Sequence, residues 1–327
     1  MTGTKLEISC GFPPGPHSVD HARLAEELGY ERVWLFDSPA LYGDVWVHLA
    51  LIATATDRIG LGTAVLVPSL RHPLAQASAI ATLEGLAPGR VVVAIGTGFT
   101  ARLALGQRPL PWAMVRTYIA QVKALLAGEA VIVEGAVVQM IPPAGFLPER
   151  PISVPIVVAA NGPKGMEVAR ELGDGVMSIL GGDPSFDWCA MLAYGTVLDP
   201  GEPPDSKRAL AAAGPGLTVV YHGMYEADPA AVEGLPGGPE WREEIERIPS
   251  HSRHLAIHED HFVAVSERDR PLLSAEGITG FTWTGEAADV RLRLDGAAAS
   301  GVTELVYAPM GPDIERELRA FLAMAAG

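Results

Sequence analysis

Two rhythms of apolar residues alternate along this chain. Short runs rich in Val, Ile and Leu give way to longer stretches in which apolar positions recur every three or four residues. LEISC (6–10) reads as a strand, followed by a helix from about Ser18 to Gly29 with Leu24, Ala25 and Leu28 on one face. RVWLF (32–36) is a second strand and ends in Asp37-Ser38-Pro39. Helix 44–56, strand RIGLGTAVLV (58–67), helix 73–86 and strand RVVVAI (90–95) continue the series. Strands that are apolar almost throughout are buried on both faces, and helices between them imply a parallel sheet.

The second half carries the pattern on. A helix spans roughly 111–127, and VIVEGAVVQM (131–140) reads as an inserted hairpin turning at Glu134-Gly135. Strand PIVVAA (155–160), helix 163–173 and strand GVMSIL (175–180) follow. Residues 181–213 are broken by Pro and Gly and read as helical in pieces, GLTVVYH (216–222) as the seventh strand, and 223–250 as an irregular insertion. A helix is expected at about 250–262, then helix 286–300, strand TELVYAP (303–309) and helix 313–325. Eight strands in steady alternation are the count of an α/β fold of (β/α)8, or TIM-barrel, type, with a doubly wound sheet as the alternative. The expectation is one domain over 1–327, with insertions after the fourth and seventh strands.

Composition narrows the class. With 48% hydrophobic and 19% charged residues, the chain has enough apolar surface for a large core. A net charge of −15 opposes nucleic acid or an anionic membrane as the main partner. Cys10 and Cys189 form no metal or redox spacing, and the start MTGTKLEISCGF lacks a signal-like apolar core. A cytoplasmic protein acting on a small molecule is the expectation. Helices 44–56 and 73–86 are apolar nearly all round, which suggests a homodimer.

One motif invites a specific reading. Gly96-Thr97-Gly98-Phe99-Thr100-Ala101 fits the dinucleotide fingerprint G-x-G-x-x-G/A. That fingerprint needs an acid about 20 residues later, at the end of the next strand. Residues 116–123 look helical instead, and Glu134 comes too late. In a barrel the same glycines follow the fourth strand, on the C-terminal rim where active sites form.

The pieces HARLAEELGYERVWLFDS, DRIGLGTAVLVPSLRHP, GRVVVAIGTG, PIVVAANGPKGMEVARELGDGVM and TGEAADVRLRLDGAAASGVTELVYAP stand in this order along the chain. Together they resemble the bacterial-luciferase-like superfamily, especially its branch dependent on the deazaflavin coenzyme F420. The resemblance implies an α/β barrel holding F420, or alternatively FMN, at the C-terminal ends of its strands. It implies an oxidoreductase: hydride transfer with F420 and a fairly apolar organic substrate, or oxygenation by FMNH2 as a luciferase-like monooxygenase. A non-catalytic flavin-binding protein is the third reading.

The same resemblance nominates residues. Asp37 stands where the family's sugar-phosphate dehydrogenases carry the acid of an Asp-His pair, with Ser38 in place of the histidine; a turn cap is the ordinary alternative. Phe99 replaces a catalytic glutamate, which opposes glucose-6-phosphate oxidation. A non-prolyl cis peptide is implied at Ala64–Val65, behind the ring. Gly96, Thr97 and Gly98 would lie against the cofactor, and Ala160, Asn161, Gly162 and Lys164 would take its phosphate at a helix start. Tyr221 and His222, at the rim end of the expected seventh strand, supply a pocket wall and a second catalytic candidate. Phe12, Tyr42, Phe99 and Trp283 are the remaining candidate walls, with core packing the default for Tyr42 and Trp283. His251, His254, His258 and His261 could share one helical stripe, but no H-E-x-x-H occurs and no metal is expected.

Overall fold

The computed structural model describes residues 6–327. The apolar runs become β1 (Glu7–Phe12), β2 (Arg32–Leu35), β3 (Gly60–Leu66) and β4 (Val91–Ile95). Helices α1 (Ser18–Leu28), α2 (Val45–Ala55) and α3 (Pro73–Leu86) connect them. A short α4 (Phe99–Leu103), α5 (Trp112–Ala127) and the hairpin β5 (Val131–Val133) and β6 (Ala136–Val138) come next. Then follow β7 (Ile156–Ala159), α6 (Pro163–Leu172), β8 (Gly175–Ser178) and β9 (Cys189–Tyr194). The chain continues as α7 (Lys207–Ala227), α8 (Gly238–Arg247), α9 (Arg253–Ile257) and α10 (Ala275–Phe281), and ends with α11 (Ala287–Ala299), β10 (Glu304–Ala308) and α12 (Ile314–Ala326). Eight parallel strands close in the order β1-β10-β9-β8-β7-β4-β3-β2. The expected barrel is present, and so is the hairpin after its fourth strand.

One strand differs from the sequence reading. GLTVVYH (216–222) is not a strand; it lies inside the 21-residue helix α7, and the seventh barrel strand is β9, CAMLAY. Gly214-Pro215-Gly216 looks like a breaker, yet these glycines serve packing. A Cβ at Gly216 would stand 2.5 Å from the Tyr194 ring, and one at Gly214 2.9 Å from Val265. Tertiary contact overrides the β-branched Thr218-Val219-Val220. The expected irregular insertion 223–250 is likewise largely helical, through the end of α7, a 3-10 turn at Pro229–Gly234 and α8.

The barrel axis is filled in layers. At the N-terminal end, fully buried Glu304 accepts hydrogen bonds from Arg32 Nη1, Trp34 Nε1 and Trp188 Nε1, each at 2.8 Å. Above it pack Trp34, Val92, Ala94, Val157, Met177, Ala190 and Val306. Gly62 makes room for the Trp34 indole, because a Cβ there would lie 2.3 Å from the ring. Side chains of the described residues therefore fill the floor, and the C-terminal mouth is the place for a ligand. Among the described residues, no helix is long and apolar enough to cross a membrane.

Candidate active site at the barrel mouth

Asp37 stands two residues beyond the end of β2 and is buried with Ser38 beside it. Its Oδ2 accepts from Arg71 Nη1 at 2.5 Å, and Arg71 Nη2 reaches Asp44 Oδ2 at 2.8 Å. Asp44 also caps α2, accepting from Trp46 N and Val47 N. Burial pushes the Asp37 carboxyl above its ordinary range, and the Arg71 guanidinium pulls it back. Arg71 is a site residue that the sequence reading passed over. The available signal is a single arginine in the loop after the third strand, in Ser69-Leu70-Arg71-His72-Pro73.

Next to Asp37 the edge of β3 is irregular. The peptide bond Ala64–Val65 is cis, as the resemblance implied, and pairing with β4 shifts register between Thr63 and Leu66. Buried Thr63 covers the break, its Oγ1 accepting from Ala94 N at 3.2 Å. A Cβ at Gly96 would press on Val65 Cγ2 at 3.1 Å and on Ala159 Cβ at 3.3 Å. Gly98 has φ 79°, and a Cβ there would lie 2.4 Å from Val67 Cγ1. Both glycines of the motif are thus demanded by β3 and its following loop as well as by the turn. Small Ala64, Gly96 and Ala160 leave flat ground at the strand ends.

Beyond β7, residues 161–164 are exposed at the rim. Gly162 is the N-cap of α6 and makes no side-chain cap bond, while Pro163 occupies the first turn. Asn161 is not the cap; its Oδ1 accepts from Ser178 Oγ and Ile179 N, both at 3.0 Å. The side chain thus ties the β7 loop to the β8 loop and does not cap α6. There Gly165 N and Met166 N donate to Gly162 O, while among the described residues Gly162 N and Lys164 N have no backbone partner. A cavity of about 370 Å³ starts here and runs behind the barrel wall, lined by Ala160, Asn161, Met166, Val176, Asp183 and Cys189 among others. Nothing lies within 4 Å of the place a Gly162 Cβ would take.

The apolar side of the mouth holds Phe36, Ala308 and Met310, against which Tyr42, Leu192, Tyr194 and Phe262 pack. The Phe262 ring stands edge-on to Phe36 at 5.4 Å and to Tyr194 at 5.7 Å. Tyr42 is held by its hydroxyl, which donates to the His261 carbonyl at 2.6 Å. Phe99 opens α4 half-exposed and comes near α7 at Gly223.

Three expected pocket walls stand elsewhere. Phe12 faces outward to His21 of α1, with ring centroids 5.6 Å apart, because the pleat turns Gly11 inward towards Val306. Trp283 packs with the layer between the sheet and the last two helices. Tyr221 is buried in the core of the insertion, its hydroxyl donating to Pro236 O at 2.9 Å. His222 goes with it: it lies in α7, stacked on Trp241, not at a strand end on the rim. The histidine stripe also differs from expectation. Only 253–257 is helical, and a turn after it carries His258 and His261 to His222.

An eight-stranded α/β barrel with a solid floor, a carboxylate–guanidinium pair and an open helix start at its mouth defines a small-molecule site of the barrel-enzyme type. A family model described as luciferase-like monooxygenase matches residues 13–304, and the chain belongs to that family. The F420-dependent glucose-6-phosphate dehydrogenase of Beutenbergia cavernae is 37% identical over 175 residues, which is 48% of this chain and 51% of that protein. This match thus spans about half of the dehydrogenase. The 5,10-methylenetetrahydromethanopterin reductase of Methanolobus tindarius is 26% identical over 331 residues, 91% of this chain and 92% of that one. Among solved structures, a coenzyme F420-dependent tetrahydromethanopterin reductase from Methanopyrus kandleri superposes with a TM-score of 0.69 at 19% identity, over 97% of both chains. An F420-dependent secondary alcohol dehydrogenase in complex with an F420-acetone adduct gives 0.68 at 17%, over 98% of both. At such identities these structures speak for the fold.

Proposed function

We propose that the protein is an F420-dependent oxidoreductase that moves a hydride between the deazaflavin and an apolar organic substrate. The observation that carries this reading is the mouth itself: small residues at the ends of β3, β4 and β7 beside an uncovered helix start. The residues fit such a group. A flat tricyclic ring needs ground free of side chains, and Ala64, Val65, Gly96, Thr97 and Gly98 would carry it. A phosphate needs free N–H groups, and Asn161, Gly162 and Lys164 would offer theirs, with the Lys164 ammonium as an added charge. Ala160, whose own N–H is spent on Met177 O, would be the small residue beside them. When bound, the deazaflavin supplies the carbon that gives or takes the hydride. Asp37, with Ser38 beside it, holds or moves the accompanying proton at its carboxylate. Phe36, Tyr194, Phe262 and Met310 exclude water and favour a substrate without charge.

An FMNH2-dependent monooxygenase is the second reading, favoured by the same apolar mouth. The two are separated by mixing the protein anaerobically with reduced F420 and a panel of apolar ketones and enones. Substrate-dependent return of oxidised F420 is expected. Oxygen uptake with FMNH2 should stay at the protein-free rate; substrate-dependent uptake with no F420 turnover would select the monooxygenase instead.

The anion site has its own test. Gly162→Asp puts a carboxylate at an open rim position facing the phosphate, and should weaken F420 binding by about 1–2 kcal/mol, roughly tenfold. Unchanged affinity in a folded variant would place the phosphate elsewhere.

We also infer a cytoplasmic homodimer. Val47 and Leu51 of α2 are more than half exposed, and Leu86 ends α3 nearly half exposed. Covering them by a two-fold partner would bury more than about 1,000 Å² in total. Sedimentation at micromolar concentration should give a dimer, and Leu51→Glu should give a monomer. A wild-type monomer contradicts the inference.

A further inference from the structure

The insertion after β9 brings three histidines together away from the barrel mouth. His222 comes from the middle of α7, and His258 and His261 from the turn after α9. Their relative exposures are 1%, 2% and 3%. One nitrogen from each ring lies within 4.8 Å of the others. The Nδ1 atoms converge: His222 to His261 at 3.5 Å, and His258 to His261 at 3.3 Å.

Hydrogen bonding alone satisfies this arrangement poorly. A neutral imidazole has one N–H and one bare nitrogen. His261 Nδ1 stands between two other Nδ1 atoms and can share a proton well with one of them. Among the described residues, none of the three Nε2 atoms has a hydrogen-bond partner. Buried polar nitrogens in this state cost free energy that a protein normally avoids.

A cation at the centre resolves all three rings at once. Zinc–imidazole bonds of about 2.0–2.1 Å in a tetrahedron place ligand nitrogens roughly 3.3–3.4 Å apart. The two Nδ1 separations have that size. Binding through Nδ1 leaves a proton on every Nε2, and two of these face carboxylates. His222 Nε2 lies 3.3 Å from Asp269 Oδ2, off the hydrogen-bond direction, and His258 Nε2 lies 3.9 Å from Glu226 Oε1. Asp269 is itself fixed, accepting from Trp241 Nε1 at 2.7 Å and from Ser266 Oγ at 2.9 Å. A carboxylate behind a histidine ligand is the usual outer support of a zinc centre. An all-nitrogen set selects a zinc-like ion over Ca²⁺ or Mg²⁺, which take oxygen.

We propose that His222, His258 and His261 bind one zinc-like divalent cation through their Nδ1 atoms, stapling α7 to the turn that carries Phe262. Three imidazoles leave the fourth tetrahedral position to a water, and the burial of all three rings holds that position away from bulk solvent. The reach of the site extends to the mouth through the chain: the His261 carbonyl accepts the Tyr42 hydroxyl, and the next residue is the aromatic cover of the mouth. The proposal does not depend on which cofactor the barrel takes.

The test uses the full chain, without an added histidine tag, stripped by chelator and titrated with Zn²⁺ against a chromophoric competitor. One Zn²⁺ per chain is expected, with a rise in Tm, and Co²⁺ should show the strong visible absorption of tetrahedral coordination. Asp269→Asn should lower the affinity on the order of tenfold, and His258→Ala by 100-fold or more. His222→Asn is the second ligand variant should His258→Ala fail to fold, and exposed His251→Ala should bind as the wild type does. Mg²⁺ in excess should not compete. No saturable Zn²⁺ binding by a chain with the circular dichroism of folded protein overturns the proposal. So does equal binding by wild type and the ligand variants.

Discussion

Asp37→Asn is expected to lower kcat by about 10²–10⁴-fold while leaving the F420 dissociation constant nearly unchanged. The amide keeps the size of the side chain and can still bond to its neighbours, so the cost falls on proton movement. Arg71 then provides a signed control. It pulls the Asp37 carboxyl down against the upward push of burial. Arg71→Met removes that pull, so the acid limb of the kcat/KM profile should move to higher pH. A shift to lower pH, or full activity in Asp37→Asn, would remove Asp37 from the mechanism.

Glu304→Leu should be the most damaging single change to stability. It strips the partner from Arg32, whose side chain is largely buried, and from the indole N–H groups of Trp34 and Trp188. Breaking a buried pair by deleting one member costs about 3–5 kcal/mol. In urea the midpoint should fall without a change in slope. Replacing Arg32 by Leu in the same chain should recover part of the loss, because an apolar pair leaves no unpaired charge. A loss below about 1 kcal/mol would mean that the floor of the barrel relaxes around the gap.

How far such features could be read from sequence depended on whether their cause was local. The first four strands and their helices announced themselves because the strands are short runs rich in apolar residues, and α1 ends on a local signal, Gly29. β9 was hidden: Ala190, Met191, Leu192 and Ala193 lack β-branching, and burial alone makes them a strand. α7 was mistaken for the reason that its glycines answer to Tyr194 and Val265, residues far away in sequence. The same split holds at the site. Asp37, Ala64–Val65 and the Gly96–Gly98 turn sit at strand ends that the pattern located. Arg71 and Phe262 depend on loops folding back over the mouth, the approach of His222 to His261 on the turn after α9 packing against α7, and no spacing in the chain encodes either. Phe12 was misplaced by one step of the pleat.

The most direct test of the central claim is a side-by-side titration of the purified protein with F420 and with FMN, following the fluorescence of each. Saturable binding of one F420 per chain is expected, with FMN at least tenfold weaker, and the F420 affinity should fall in Gly162→Asp. Tight, saturable FMN binding with no response to F420 would contradict the account.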